Sequence, residues 1–355
     1  MPMATIVSAL VAAAAILLVG PAAAQPSPAG QIYSVRLDGR GLVNLSGRSG
    51  ADGLASPAPR GGRIAFVRIP TGGLARRSSL PNGELWTMRS DGSEQRRLAG
   101  GVVVGDALVG PPAWSPDGRE IAFWGAPDGG RYGVWIVDLE GRLRRLGDAE
   151  SSPVWSPDGR LIAFDEFDPS TCGPIDRNCA TALLELVSPD GTGRRTIATD
   201  AIRPSWSPTG ARLAFAGGAA GTDAFSLDVV SSAGGVPRTV VRRRNAWTIA
   251  WSPSGRHIAF ADEMTGSAFT VAPGGGPLHR LGGGGRVPLP ALAWSPRGTR
   301  IAFALRPERA RVTTIWVARP DGSGRRRVEK VRGIVSDLAW PVDGGRLIYT
   351  LQRGA

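Results

Sequence analysis

The sequence predicts an all-β fold, a seven-bladed β-propeller of four-stranded antiparallel blades, and three observations predict it. A Trp-Ser-Pro-x-Gly unit, with x Asp in two copies, followed two residues later by Ile-Ala-Phe or Leu-Ala-Phe, recurs along the chain. Each of the first six copies is followed by an apolar stretch, a turn often containing Asp-Gly, and a closing stretch that in most of them carries Arg-Arg. One half-copy stands alone at each end of the repeat region. Units of roughly 40 to 50 residues suit a four-stranded sheet that buries its faces only by stacking on its neighbours. With 355 residues, 42% of them hydrophobic and 20% charged, the chain can bury a sizeable core and is not disordered. Length alone would suggest two domains, but a ring of small sheets shares one closed architecture.

The first unit occurs at 114–123, 155–164, 206–215, 251–260 and 294–303, with a degenerate copy at 340–349. A seventh, at 57–66, keeps Ile64, Ala65 and Phe66 without the Trp. Pro presets φ near −65° at the second turn position, Asp caps the turn with its side chain, and Gly takes the positive φ that follows. This is a tight hairpin between strands A and B. The Trp before it is expected to pack between neighbouring blades, and Ile-Ala-Phe to line the core between sheets.

The second unit supplies strands C and D, as in Leu85-Trp86-Thr87-Met88, Asp91-Gly92 and Arg96-Arg97-Leu98. Its displaced copy runs from Ile32 through Asp38-Gly39 to Leu45, without strands A and B, whereas the copy ending at Leu351 lacks C and D. The two halves are expected to make one blade, closing the ring without a free strand edge at the chain ends. Tyr33, Val35, Leu42 and Leu45 are the side chains expected to bury that seam.

The repeated Trp-Ser-Pro-Asp-Gly-x-x-Ile-Ala-Phe with Asp-Gly-x-x-x-Arg-Arg-Leu resembles the TolB-like propeller repeat, over residues 31–351. The resemblance implies the fold and says little about function. TolB carries a separate α/β domain before its propeller and prolyl oligopeptidases carry a hydrolase domain. Neither addition is expected here. Pectic oligosaccharide lyases with similar repeats use sites built on several histidines, and this chain has two, His257 and His279.

Residues 1–24 hold no Asp, Glu, Lys or Arg, and an apolar run over 6–19 leads to Ala22-Ala23-Ala24 before Gln25. The run falls short of the about 20 residues a membrane helix needs. The reading is a signal peptide at 1–24, a short linker at 25–30 and the propeller at 31–355, in a protein exported to the periplasm or outside the cell. No membrane span is expected after cleavage. In that oxidising setting Cys172 and Cys179 are expected to form a disulfide, which over so short a loop contributes roughly 2 to 3 kcal/mol. Two measurements check this pair of expectations. N-terminal sequencing of the exported form should start at Gln25, with retained Met1 against it; thiol labelling of unreduced, unfolded protein should leave both cysteines unreacted.

Net charge is +12, carried almost wholly by arginine, with Lys330 the only lysine. The Arg-Arg pairs at 96–97, 144–145, 194–195 and 326–327 fall one per repeat. That spacing spreads charge round a ring, so no nucleic acid is expected as partner. The D–A and B–C connections form the variable face. Arg203, Trp247 and Asp337 are expected just before strands A there, and Asp165, Glu166, Asp262 and Glu263 just after strands B. These seven are the candidate binding residues. Their carboxylates could hold a cation or a basic partner, or could be solvated loop charges.

Catalysis finds little support, because two histidines build neither a three-His metal site nor a serine triad with spare candidates, and no Gly-x-Ser-x-Gly elbow occurs. The Gly-rich runs at 274–276 and 282–285 read as loops. No cofactor and no metal are expected. The reading is a monomeric, non-catalytic binding platform for a protein or a cell-envelope polymer. The alternative is a metal-assisted hydrolase or lyase with carboxylates at the channel mouth. Convergence of Asp165, Glu166, Asp262, Glu263 and Asp337 would favour the enzyme.

Overall fold

The computed structural model describes residues 30–47, 51–70, 82–103, 110–149, 151–168, 181–218, 225–263, 265–283, 291–307 and 310–353. The leader at 1–24, most of the linker, and both Cys172 and Cys179 lie outside the described residues. Among the described residues helix is nearly absent, with one 3₁₀ turn at Pro127–Gly129. No helix among the described residues is long and apolar enough to cross a membrane.

Every strand pair is antiparallel. Four four-stranded sheets follow chain order as A-B-C-D. They begin with strands A at Val154–Trp155, Ala201–Trp206, Ala246–Trp251 and Ala291–Trp294. These are called units 3 to 6. Units 1 and 2 begin at Ala51–Pro57 and Ala113–Trp114 and belong to one eight-stranded sheet. A single bridge, Val102 to Gly125, joins them. Glycine permits it: a Cβ on Gly125 would lie 2.4 Å from the Gly101 carbonyl oxygen, and one on Gly101, at φ +67°, 2.2 Å from that of Ala126. In the terminal sheet, Ile334–Ala339 pairs with Arg346–Gln352, which pairs with the N-terminal Gln31–Arg36, which in turn pairs with Val43–Asn44. Gln31 faces Leu351 and Arg36 faces Arg346.

The A–B turns follow the local chemistry read from the sequence. In unit 2, Ser115 Oγ donates to Asp117 Oδ1 at 2.6 Å and accepts from the Glu120 N–H at 2.9 Å. Gly118 takes φ +72°. Successive turns touch. A Cβ on Gly159 would meet Pro116 at 3.5 Å, one on Gly255 Pro208 at 3.3 Å, and one on Gly298 the Ser254 nitrogen at 2.7 Å. Three of the tryptophans that end strands A lock units together: the Trp114, Trp206 and Trp294 indoles donate to the carbonyls of Ser56, Val154 and Ala250 in the preceding unit, at 2.9, 3.1 and 2.9 Å, whereas the Trp251 indole donates to Gly255 in its own turn.

Ile-Ala-Phe builds the core. Phe66, Phe123, Phe164, Phe215, Phe260 and Phe303 are all buried, as are the alanines before them. Each apolar cluster is shared by consecutive units, because a sheet face is covered only by its neighbour. Ala163 and Leu186 of unit 3 meet Phe215 and Trp206 of unit 4. Ile32, Leu45 and Ile348 of the terminal sheet meet Ala55, Ile64, Phe66 and Met88 of unit 1.

Two local expectations are corrected. Leu42 does not bury the seam. It is 48% exposed, because strand D of the terminal sheet shrinks to Val43–Asn44 and leaves Leu42 in the turn. Gly282 and Gly283 are not loop but close the strand His279–Gly283. A Cβ on Gly282 would stand 2.6 Å from Leu305, so the strand packs too closely there for a side chain.

Candidate functional site

The ends of strands A away from the A–B turns are where the backbone departs from regular strand. The ladder slips between Gly53 and Ser56, Ile202 and Ser205, Ala246 and Ile249, and Val335 and Asp337. Such bulges re-aim side chains. Two of them hold non-glycine residues at positive φ, Leu54 at 54° and Arg203 at 60°. That conformation costs of order 1 kcal/mol or more and persists where surroundings over-determine it.

At Arg203 the surroundings are two other units. Its N–H, turned out of the ladder, donates to Asp165 Oδ1 of unit 3 at 3.2 Å. Its guanidinium lies over the Trp247 ring of unit 5, 3.3 Å from the centroid. Glu263, also of unit 5, is held by the Asn245 side-chain amide and donates its own N–H to the Asn245 carbonyl at 3.0 Å. Beside it, fully buried Asp262 accepts from Arg244 Nη1 and from Thr265 Oγ1, each at 2.7 Å. Arg244 itself stacks on Phe269, 5.0 Å from the centroid.

Burial pushes the carboxyl of Asp165 above the ordinary range, against the pull of Ser151 and Arg203. It does the same to Glu263, where the Arg203 charge opposes the rise and Asp262 adds to it. The result is a guanidinium stacked on an indole, its backbone held from beneath by fully buried Asp165, with partly exposed Glu263 in the same unit as the indole.

Five of the seven sequence candidates, Asp165, Arg203, Trp247, Asp262 and Glu263, thus fall in units 3 to 5 around one bulge. The other two do not join them. Glu166 alternates to the opposite side of its strand from Asp165 and pairs with Arg194, which also reaches Glu185 at 3.2 Å and stacks on Phe164. Asp337 stands at the seam of the terminal sheet and unit 1. Its Oδ2 accepts from the Leu54 N–H at 2.9 Å and its Oδ1 from the Thr350 N–H at 3.1 Å. Asp165 and Asp337 therefore do the same work, each holding the positive-φ residue of the next unit's bulge.

Sequence reasoning passed over Arg244 and Asn245, although the run Arg242-Arg243-Arg244 before strand A of unit 5 points to them. His257 ends the turn before strand B, and His279 opens strand D. Among the described residues no three His, Cys, Asp or Glu side chains group closely enough to hold a metal ion.

Solved structures match this architecture. TolB from Acinetobacter baumannii is 17% identical, with a TM-score of 0.52 over 82% of this chain and 64% of that one. The chain has a TolB-like β-propeller fold. It spans about two thirds of the length of that TolB, at 64%. Oligogalacturonate lyase from Vibrio parahaemolyticus aligns over 93% of this propeller and 98% of its own chain, at 11% identity and a TM-score of 0.59. Kuenenia stuttgartiensis hydrazine synthase aligns over 85% and 92%, at 17% identity and 0.57. Identities this low speak to fold alone. No protein-family model and no curated protein sequence matches the chain.

Proposed function

We propose that this protein is an exported, monomeric, seven-bladed propeller that binds a protein or a cell-envelope polymer through the face where strands A begin, without catalysis. The observation that carries the reading is Arg203, held at positive φ by Asp165 of one unit and stacked on Trp247 of another. A strained residue supported from both sides, with its cation laid on an indole, is a preorganised contact point. The blade count of seven is supported by the apolar clusters between consecutive units and by the pairing of Gln31–Arg36 with Arg346–Gln352. Export rests on the leader at 1–24.

The purified propeller should capture its partner from the native envelope fraction. Arg203→Ala with Trp247→Ala should lower the amount captured by about tenfold, the size of a hot-spot loss. Equal capture by both proteins would remove the site from this face.

A second reading has one observation in its favour. The carboxyls of Asp165 and Glu263, raised by burial, flank Arg203 in the manner of a general acid beside a stabilising cation. Turnover of oligogalacturonate in the presence of a divalent cation, lost in Glu263→Gln, would establish it in place of the binding reading.

A further inference from the structure

Arginine is spread along the whole chain, but the acids that offset it are not. Residues 1–200 hold 20 Lys and Arg against 21 Asp and Glu, whereas residues 201–355 hold 22 against 9. The whole excess of the chain therefore sits in its second part, and its source is visible turn by turn. In units 2 and 3 the A–B turns carry Asp117 and Asp158, each beside the arginine two residues on, at 3.8 and 3.9 Å. In units 4, 5 and 6 the same turn position is Thr209, Ser254 and Arg297. The turn survives the exchange. Ser252 Oγ and Ser254 Oγ lie 3.1 Å apart, and Ser295 Oγ still accepts the Arg300 N–H at 3.0 Å. Gly210, Gly255 and Gly298 keep φ at 72°, 73° and 65°.

The C–D turns of the same end follow suit. Asp138 and Asp190 of units 2 and 3 give way to Ser231 and to the 272–276 turn in units 4 and 5, and only unit 6 keeps an acid, Asp321. Arg212, Arg256, Arg297, Arg300 and Arg319 are exposed there, and no ion pair joins them to a carboxylate among the described residues. Because these turns touch one another, their charges form one continuous surface. A cleft of about 450 Å³ opens in it between units 5 and 6, lined by His257, Thr299, Arg300, Arg319, Pro320 and Asp321. The His257 ring stacks on Trp294 at 6.3 Å, and its buried Nδ1 has no hydrogen-bond partner.

We propose that the A–B and C–D turns of units 4 to 6 form a docking surface for an acidic segment of a protein, with one side chain seated in the His257–Arg319 cleft. Guanidinium groups recognise carboxylates through paired hydrogen bonds, so an arginine surface with few acids selects Asp and Glu. Asp321 decides between a protein and a uniformly charged polymer. Its carboxylate, in the cleft itself, repels an anion at that point, whereas a protein segment can present a neutral donor there. The surface lies at the opposite end of the strands from Arg203 and Trp247, so it stands or falls apart from the function proposed above.

The test installs the acid that this turn already carries in units 2 and 3. Thr209→Asp with Arg297→Asp should fold as the parent does, with melting within about 2 °C. Binding of a synthetic Glu-rich peptide at low salt should weaken by about tenfold in that variant and in Arg300→Ala, and should fall steeply with salt in the parent. Arg203→Ala should leave it unchanged, and dextran sulfate should bind the parent less tightly than the peptide. Undetectable peptide binding, equal affinity of parent and charge-reversed variant, or tighter binding of dextran sulfate would each overturn the proposal.

Discussion

A chain lacking residues 31–45 is expected to lose cooperative folding and to aggregate. That segment carries Gln31–Arg36, which pairs along its whole length with Arg346–Gln352. It also buries Ile32 and Val35 completely, and Tyr33 and Leu45 to 7% and 4% exposure. Each such side chain contributes roughly 1.5 to 3 kcal/mol, so together they match the whole stability of an ordinary domain. Tyr33 stacks on Tyr349 with centroids 5.9 Å apart, and the Ile32 N–H donates to Ser46 Oγ at 3.0 Å, so polar and aromatic contacts go with the apolar ones. Losing the strand bares the edge of Arg346–Gln352, a template for association. A milder version, Ile32→Ala, should cost about 2 to 4 kcal/mol. Thermal melting with light scattering reads both. An unchanged melting temperature in the deletion would show that the seam does not hold the molecule shut.

Asp337→Asn is expected to flatten the stability profile between about pH 4 and 7. Burial pushes the Asp337 carboxyl up to about 6 from the usual 3.8 while Leu54 and Thr350 N–H groups pull it down. A carboxyl raised in the folded state favours folding most when protonated. Its contribution is complete below pH 3.8 and is lost as pH rises through about 6. The loss reaches at most about 3 kcal/mol, a ceiling because part of the residue meets solvent. Burial shifts other groups as well. Asp165 and Glu263 share the sign, and His257, lowered by burial, has the opposite one. The difference between parent and variant isolates Asp337. Urea unfolding across the range measures it, and parallel profiles would show that the carboxyl is not buried as described.

Much of the architecture is legible in short stretches of sequence. Ser-Pro-Asp-Gly sets a hairpin through bonds that span five residues, as Ser115 and Asp117 do, and Ile-Ala-Phe places one ring per unit in the core, so both features repeat wherever the letters do. The separation of half-copies at the two ends likewise told which strands lack partners nearby.

What only the tertiary structure decided are contacts between units. Asp165 and Arg203 are 38 residues apart, and Leu54 and Asp337 are 283 apart, and no pattern in the chain states that each carboxylate turns to a backbone N–H across a seam. Positive φ at Leu54 and Arg203 is likewise unreadable, because neither residue type favours it and each N–H is held there by a carboxylate of another unit. Glu166 differs from Asp165 by one position, yet strand alternation sends it to Arg194 and away from the site. Local turn and core chemistry acts over a few residues and is written in them; the site depends on how separate sheets meet, and that is settled by packing.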